Sequence, residues 1–318
     1  MTIEQRDFGN AGLRVGVLGL GTAGIGFSGV GDAEVDSILG TACEVGINVL
    51  DTAASYGNAE ARLGRLLGGR RDKFLIFTKC GGDLAKLTIP QRVLRKVQRS
   101  MSGMLGQLPP EWQPRVLQDN IEESLRRLKT DRVDIIQLHS CPEEFLKRGE
   151  IIETLRRARD AGKVRFIGYS GDGAAALWAA KSGYFDAIQL SVNIADQQAV
   201  DDLIPQARAA GLGIIAKRPI ANAIWRQAER PQEQRMQAYW SRMRALRYAF
   251  LDAPAATNIA LRFTLRTGVH TAIVGTTSLE HMQSNIDAVR DLDVIDSEYG
   301  AIRERWRMVA KPEWMGQR

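Results

Sequence analysis

Eight short apolar runs, each leading into a helical pattern, recur along this chain and limit its fold more than any other feature. The runs cover residues 15–20, 47–50, 74–78, 133–139, 166–170, 187–191, 213–217 and 271–275. The helical patterns cover residues 32–45, 59–67, 116–128, 150–161, 173–181, 199–210, 255–266 and 279–289. A helix between two strands carries the chain back to the end where the first strand began, so consecutive strands lie parallel. Eight strands in strict alternation with helices argue for one (β/α)8 TIM barrel over residues 1–318, with an N-terminal β-hairpin and long loops at its C-terminal face. A doubly wound sheet is the alternative. No Pro-, Gly- or Ser-rich linker divides the chain, and no short repeat is visible. The hairpin is read over residues 5–15, turning at Gly9-Asn10-Ala11-Gly12.

Three of the runs end on groups able to do chemistry. The second delivers Asp51 and, after a small-residue loop, Tyr56; the third delivers Lys79 and the fourth His139. In one parallel sheet, an acid, a phenol, an amine and an imidazole converge at the carboxyl ends, where α/β folds carry their sites. Alone, a strand-end Asp reads as a salt-bridge partner, a Tyr as a packed aromatic and a His as a satisfied core residue. Jointly they are complementary. His270 precedes the last strand, on the face away from this site, and reads as structural.

The bulk properties exclude several classes. A net charge of +6 on 318 residues describes a mildly basic surface, not a nucleic-acid footprint. Cys43, Cys80 and Cys141 are odd in number and lack metal-ligand spacing, so neither a disulfide framework nor a metal site is expected. Residues 1–8 are polar and no run approaches the length of a membrane span, so a cytoplasmic protein is expected.

Gly19-Leu20-Gly21-Thr22-Ala23-Gly24 matches G-x-G-x-x-G, but that fingerprint needs a helix at once, and no helical pattern begins before Asp32, read as an N-cap. These glycines therefore read as a turn after a strand, with Gly21 and Thr22 lining a ligand site. Two connections, over residues 81–114 and 219–254, are too long for simple barrel loops and should overhang the mouth. The first carries Lys86, Arg92, Arg95, Lys96 and Arg99, and reads as a solvated lid helix rather than a membrane-surface one. The second carries Trp225, Tyr239 and Trp240, read either as a pocket wall or as packing; Trp306 and Trp314 in the tail join them.

Asp51, Tyr56, Lys79 and His139, each in its strand-end context, resemble the catalytic tetrad of the aldo-keto reductases. Gly19-Leu20-Gly21-Thr22, Gly168-Tyr169-Ser170, Gln189, Ala216-Lys217-Arg218-Pro219 and Ile273-Val274-Gly275-Thr276-Thr277-Ser278 through Asn285 extend the likeness over nearly the whole chain. The resemblance implies a nicotinamide dinucleotide laid across the barrel mouth, NADP(H) by family habit with NAD(H) as the alternative, and a small carbonyl or alcohol substrate. It assigns Tyr56 as proton donor, carboxamide contacts to Ser170 and Gln189, and further cofactor contacts to Gly21, Thr22, Asp51, Lys217, Arg218, Pro219, Gly275, Thr276, Thr277, His281, Gln283 and Asn285. Two positions depart from the pattern. Gly171 stands where the family has an Asn beside the carboxamide, and Lys217 where a Tyr stacks on the nicotinamide. The expected activity is reduction of aldehydes or ketones. The alternatives are a sugar or polyol dehydrogenase and a catalytically weak module that senses a dinucleotide.

Overall fold

The structure is a computed structural model that describes residues 2–82, 106–290 and 296–316. Strands β1 (Gln5–Asp7) and β2 (Arg14–Gly16) form the antiparallel hairpin. Then β3 (Leu18–Gly21), β4 (Val49–Asp51), β5 (Leu75–Cys80), β6 (Val133–His139), β7 (Val164–Ser170), β8 (Ala187–Ser191) and β9 (Gly213–Lys217) pair in chain order. β10 (Thr271–Gly275) pairs with both β9 and β3, and every pairing in this barrel is parallel. The sheet is thus closed, as the alternation requires for a (β/α)8 barrel.

The barrel interior is layered. Val49, Phe77, Ile135, Ala187, Ile215 and Ile273 form an apolar layer, plugged at the amino-terminal end by Phe8, Leu13 and Val15 of the hairpin. Gly213 leaves room for the plug, since a Cβ there would lie 2.1 Å from Cε1 of Phe8. Complete burial of that ring stabilises the fold by roughly 1.5–3 kcal/mol. His270 packs edge-on against Phe8 and its Nδ1 accepts the Ile214 amide at 2.8 Å, the structural role expected of it. Side chains alternate along a strand, so residues two positions further point the same way. Those residues are Asp51, Lys79, Gln137, Gln189, Lys217 and Gly275. One step above the apolar plug the barrel therefore becomes polar.

Several local expectations change. Val15 and Gly16 pair within the hairpin, so the first barrel strand starts only at Leu18. A helix does begin directly after Thr22, but it is the single turn Ala23–Phe27, and the helix Asp32–Val45 is capped by Gly31 with Asp32 inside its first turn. The helix read over 199–210 is two, Gln198–Asp201 and Leu203–Ala209. Pro205 has no amide to donate to the Asp201 carbonyl, and it is tolerated because it falls in the first turn of the second helix. The basic helix read around Lys86 to Arg99 lies outside the described residues. Within the connection after β9 runs an unexpected helix, Gln234–Leu246, and the tail forms another, Asp296–Val309. Between them Tyr239, Met243, Leu246, Phe263, Ile302 and Trp306 build a second apolar cluster, with Trp225, Trp240 and Trp314 at its margin. These aromatics pack together, while Trp225 and Trp240, half-buried, also line a surface pocket with Arg226 and Arg244.

Candidate active site

The polar layer carries a buried ion pair. Lys79 Nζ donates to Asp51 Oδ2 at 2.7 Å, to Asp51 Oδ1 at 2.8 Å and to the Thr52 carbonyl at 2.9 Å. Lys79 and Asp51 side chains are only 1% and 5% exposed, so the charges survive because each satisfies the other. Burial disfavours the Lys79 ammonium, but the Asp51 carboxylate and the Tyr56 oxygen more than offset it, and its pKa lies above the ordinary lysine value.

Tyr56 stands over this pair, half-exposed, with Lys79 Nζ 5.0 Å from its ring centroid. The His139 ring meets it edge-on at 6.3 Å between centroids. Burial, then the nearby charges of Lys79, Lys217 and Arg218, push the His139 pKa down to about 3, so the imidazole is neutral at physiological pH.

The loop holding Tyr56 is locked from the side by the glycine-rich turn. A Cβ on Gly26 would lie 1.8 Å from the Tyr56 carbonyl oxygen, and one on Gly57, at φ +59°, would lie 2.5 Å from the Gly26 oxygen. Only glycine allows these two backbones to interlock. Thr22 donates through both its amide (2.9 Å) and its hydroxyl (3.0 Å) to the Asp51 carbonyl. Arg62 donates to the carbonyls of Ile25 and Val30 and to Asp32. Sequence reasoning missed Arg62, whose only signal was a basic residue on the buried face of its helix.

A second polar chain joins the pair from β7 and β8. Ser170 Oγ donates to Gln189 Oε1 at 2.7 Å, and Gln189 Nε2 donates to Asp51 Oδ1 at 2.8 Å. Gln137, in the same layer, is fully buried with neither amide atom hydrogen-bonded among the described residues.

The rim differs from the family pattern for visible reasons. A Cβ on Gly171 would lie 2.5 Å from the Tyr169 hydroxyl, which donates to the Cys141 carbonyl at 2.9 Å, so Tyr169 fills the space an Asn would need. Lys217 pairs with Asp172 at 3.1 Å, and Asp172 also accepts the Ser191 amide at 2.6 Å. Arg218 takes a left-handed φ of +55°, its carbonyl accepting Asn193 Nδ2 at 3.0 Å, while Thr264 Oγ1 donates to the Pro219 carbonyl at 2.8 Å.

On the far side Gly275 pairs in register with Gly21, leaving bare backbone where β10 meets β3. Thr276, Thr277 and Ser278 then lead into the helix Leu279–Arg290. Thr276 Oγ1 bonds the Ser278 backbone, His281 is exposed, and Asn285 is buried. The Gln283 amide, exposed, donates to Asp287 along the helix at 2.8 Å.

These residues fit a nicotinamide dinucleotide at both ends. Ser170 and Gln189 keep hydrogen-bonding capacity for an amide after bonding each other, and hydroxyls at a helix N-terminus suit phosphate. Among the described residues, no helix is long and apolar enough to cross a membrane.

A model of the aldo/keto reductase family matches residues 17–307. Over 325 aligned residues the chain is 25% identical to L-galactose dehydrogenase of Arabidopsis thaliana, covering 95% of this chain and 93% of that protein. It is 28% identical over 198 residues to the NADH-specific methylglyoxal reductase of Escherichia coli strain K12, covering 60% of this chain and 57% of that one. An aldo-keto reductase from Bacillus halodurans shares the fold, with a TM-score of 0.78 over 98% of this chain and 99% of its own at 22% identity. A barrel closed in chain order and a family match over almost its full length agree: this chain belongs to the aldo/keto reductase family, whose members are oxidoreductases.

Proposed function

We propose that this protein is an NAD(P)(H)-dependent reductase of small aldehydes or ketones, working in the cytoplasm as a single barrel domain. One observation carries the reading: a sealed carboxylate–ammonium pair lies beneath a half-exposed phenol that a neutral imidazole faces. Ser170 and Gln189 would hold a nicotinamide dinucleotide at its amide end and the turn from Gly275 to Ser278 would hold its phosphates, and the bound group would supply the hydride. The carbonyl oxygen then gathers negative charge and needs a proton. Tyr56 is assigned as its donor in reduction and as the base in oxidation. A free phenol, with a reference pKa of about 10, gives up its proton reluctantly at neutral pH. Lys79 beside it favours the phenolate left behind, an interaction on the order of 4 kcal/mol at about 4 Å and an effective dielectric of about 20. Asp51 and the Thr52 carbonyl keep that ammonium in place. His139, being neutral, donates an N–H to the carbonyl oxygen, orienting it and stabilising the developing charge.

Tyr56→Phe should lower turnover by about 100-fold or more while dinucleotide affinity stays within about twofold of native. Retained turnover in that variant would sink the assignment. The 2′-phosphate of NADPH would meet hydroxyls and His281, with no Lys or Arg from residue 276 to 285. An exposed His–phosphate pair contributes on the order of 1 kcal/mol, so any preference for NADPH over NADH should be about fivefold.

A second reading is oxidation of a sugar. Its support is the likeness to L-galactose dehydrogenase over 95% of this chain. Turnover of NAD⁺ with L-galactose exceeding carbonyl reduction would favour it.

A further inference from the structure

We propose that Gln189 is a positioning residue for the Asp51–Lys79 pair, with Ser170 setting the orientation of its amide. The inference rests on the reading of Tyr56, Lys79 and Asp51 given above, and it concerns what holds them. Gln189 reaches across the barrel from β8 to β4, and both of its side-chain hydrogen bonds are buried. A carboxylate only accepts, so the group facing Asp51 must be the amide nitrogen. That leaves Oε1 as the acceptor for the Ser170 hydroxyl, and the hydroxyl proton is what fixes this orientation.

The chosen oxygen matters. Asp51 Oδ1 is shared by Lys79 Nζ and Gln189 Nε2, both at 2.8 Å, whereas among the described contacts Oδ2 serves Lys79 alone. Gln189 therefore stops the carboxylate from rotating, and a fixed carboxylate fixes the ammonium beneath Tyr56. After these bonds Gln189 retains one N–H and one lone pair. A dinucleotide amide can be bound with the chain from Ser170 to Lys79 intact, so the residues expected at the cofactor also brace the catalytic pair. The charged and titratable groups around this chain are Asp51 on β4 and Tyr56 beyond it, Lys79 on β5, and His139 on β6. Asp172 past β7 and Lys217 with Arg218 at the end of β9 lie nearby, and buried Asp196 beyond β8 feels the charges of Asp172 and Lys217 in turn.

A carboxylic acid of the same length has nearly the shape of this amide, but it can donate to Asp51 only while it carries a proton. In Gln189→Glu, turnover measured at saturating dinucleotide should gain an ionisation absent from native enzyme: activity present at low pH and lost as pH rises through the pKa of the introduced carboxyl, itself raised by the Asp51 charge. Gln189→Met, which cannot donate at any pH, should lose about tenfold in kcat without a new ionisation, and Ser170→Ala about threefold, both with little change in substrate KM. Circular dichroism would verify that each variant is folded. A Gln189→Glu profile that superimposes on native, or undiminished kcat in both Gln189→Met and Ser170→Ala, would overturn the proposal. If Gln189→Glu does not fold, the other two variants decide it. Tyr56→Phe assayed alongside separates the two levels. If it is inactive while the position-189 and position-170 variants match native, only the bracing role fails; if it is active, the reading of the site fails.

Discussion

The two halves of the barrel mouth are built differently. On the side of β4, β5 and β6, Asp51, Lys79 and His139 are strand residues placed by register, with Tyr56 on the loop beyond β4, and the ion pair is sealed: Lys79 is 1% exposed and all three of its described hydrogen bonds are inside the barrel. On the side of β7 to β10 Ser170, Gln189 and Lys217 are strand residues too, but Asp172 and Arg218 sit just past strand ends, and Arg218, Ala221, Asn222 and Ala223 all take positive φ. Here Lys217 and Asp172 form the ion pair, with side chains 19% and 13% exposed. Register leaves a strand residue little choice of position, whereas a loop residue takes whatever its neighbours leave it. The buried ion pair is thus held on a rigid side, and the opposite rim, with its loop residues, is the more adjustable one.

That contrast is most directly broken by comparing two lysines. Lys79→Met strands a buried carboxylate and should destabilise the fold by about 3–5 kcal/mol in chemical denaturation, besides abolishing turnover. Lys217→Met should cost only about 1 kcal/mol, because Asp172 keeps its Ser191 bonds and some water. Equal losses would mean the two sides are equally rigid. The Lys79 pKa is raised, so the stability it contributes is complete below about pH 10.4 and lost as pH rises through its higher folded value. That alkaline loss should be missing from Lys79→Met.

A smaller effect tests whether the rigid side extends to the Tyr56 loop. Gly26→Ala forces backbone apart at the Tyr56 carbonyl, and should cost about 1–3 kcal/mol with a fall in kcat. Full activity would mean the loop is freer than its packing implies.

The smallest effect sharpens the comparison through pH. His139 and His270 have pKa values lowered to about 3 and about 4, in both cases first by burial. An unfolded chain takes up protons near pH 6.5 that the folded one refuses, so stability should fall as pH drops from about 6.5 toward 3. His139→Gln should flatten this acid limb more than His270→Gln. In native enzyme kcat should show no inflection from His139 between pH 5 and 8.

Of the fold, the eight-strand alternation was legible because each βα unit is a local pattern, and of the site, so were the four strand-end groups. The Rossmann-like glycines were legible only as a turn. Their use, letting the Tyr56 loop interlock at Gly26 and Gly57, depends on two segments far apart in the chain. Arg62 and the bracing by Gln189 were invisible for the same reason: the hydrogen bond from Gln189 to Asp51 spans 138 residues. The aromatic residues after β9 were ambiguous until the tail helix Asp296–Val309 supplied the surface they pack against.

The chain's own periodicity thus determined a closed parallel barrel, and its strand ends determined which chemical groups meet at the mouth. Tertiary structure alone decided that the Tyr169 hydroxyl is tied to the Cys141 carbonyl, that Lys217 is tied to Asp172, and that Asp51 is gripped from both β5 and β8. The physical reason is range. Strand and helix patterns arise from neighbours within a few positions, while steric exclusion and hydrogen-bond partners inside a barrel come from strands that only closure of the sheet brings face to face.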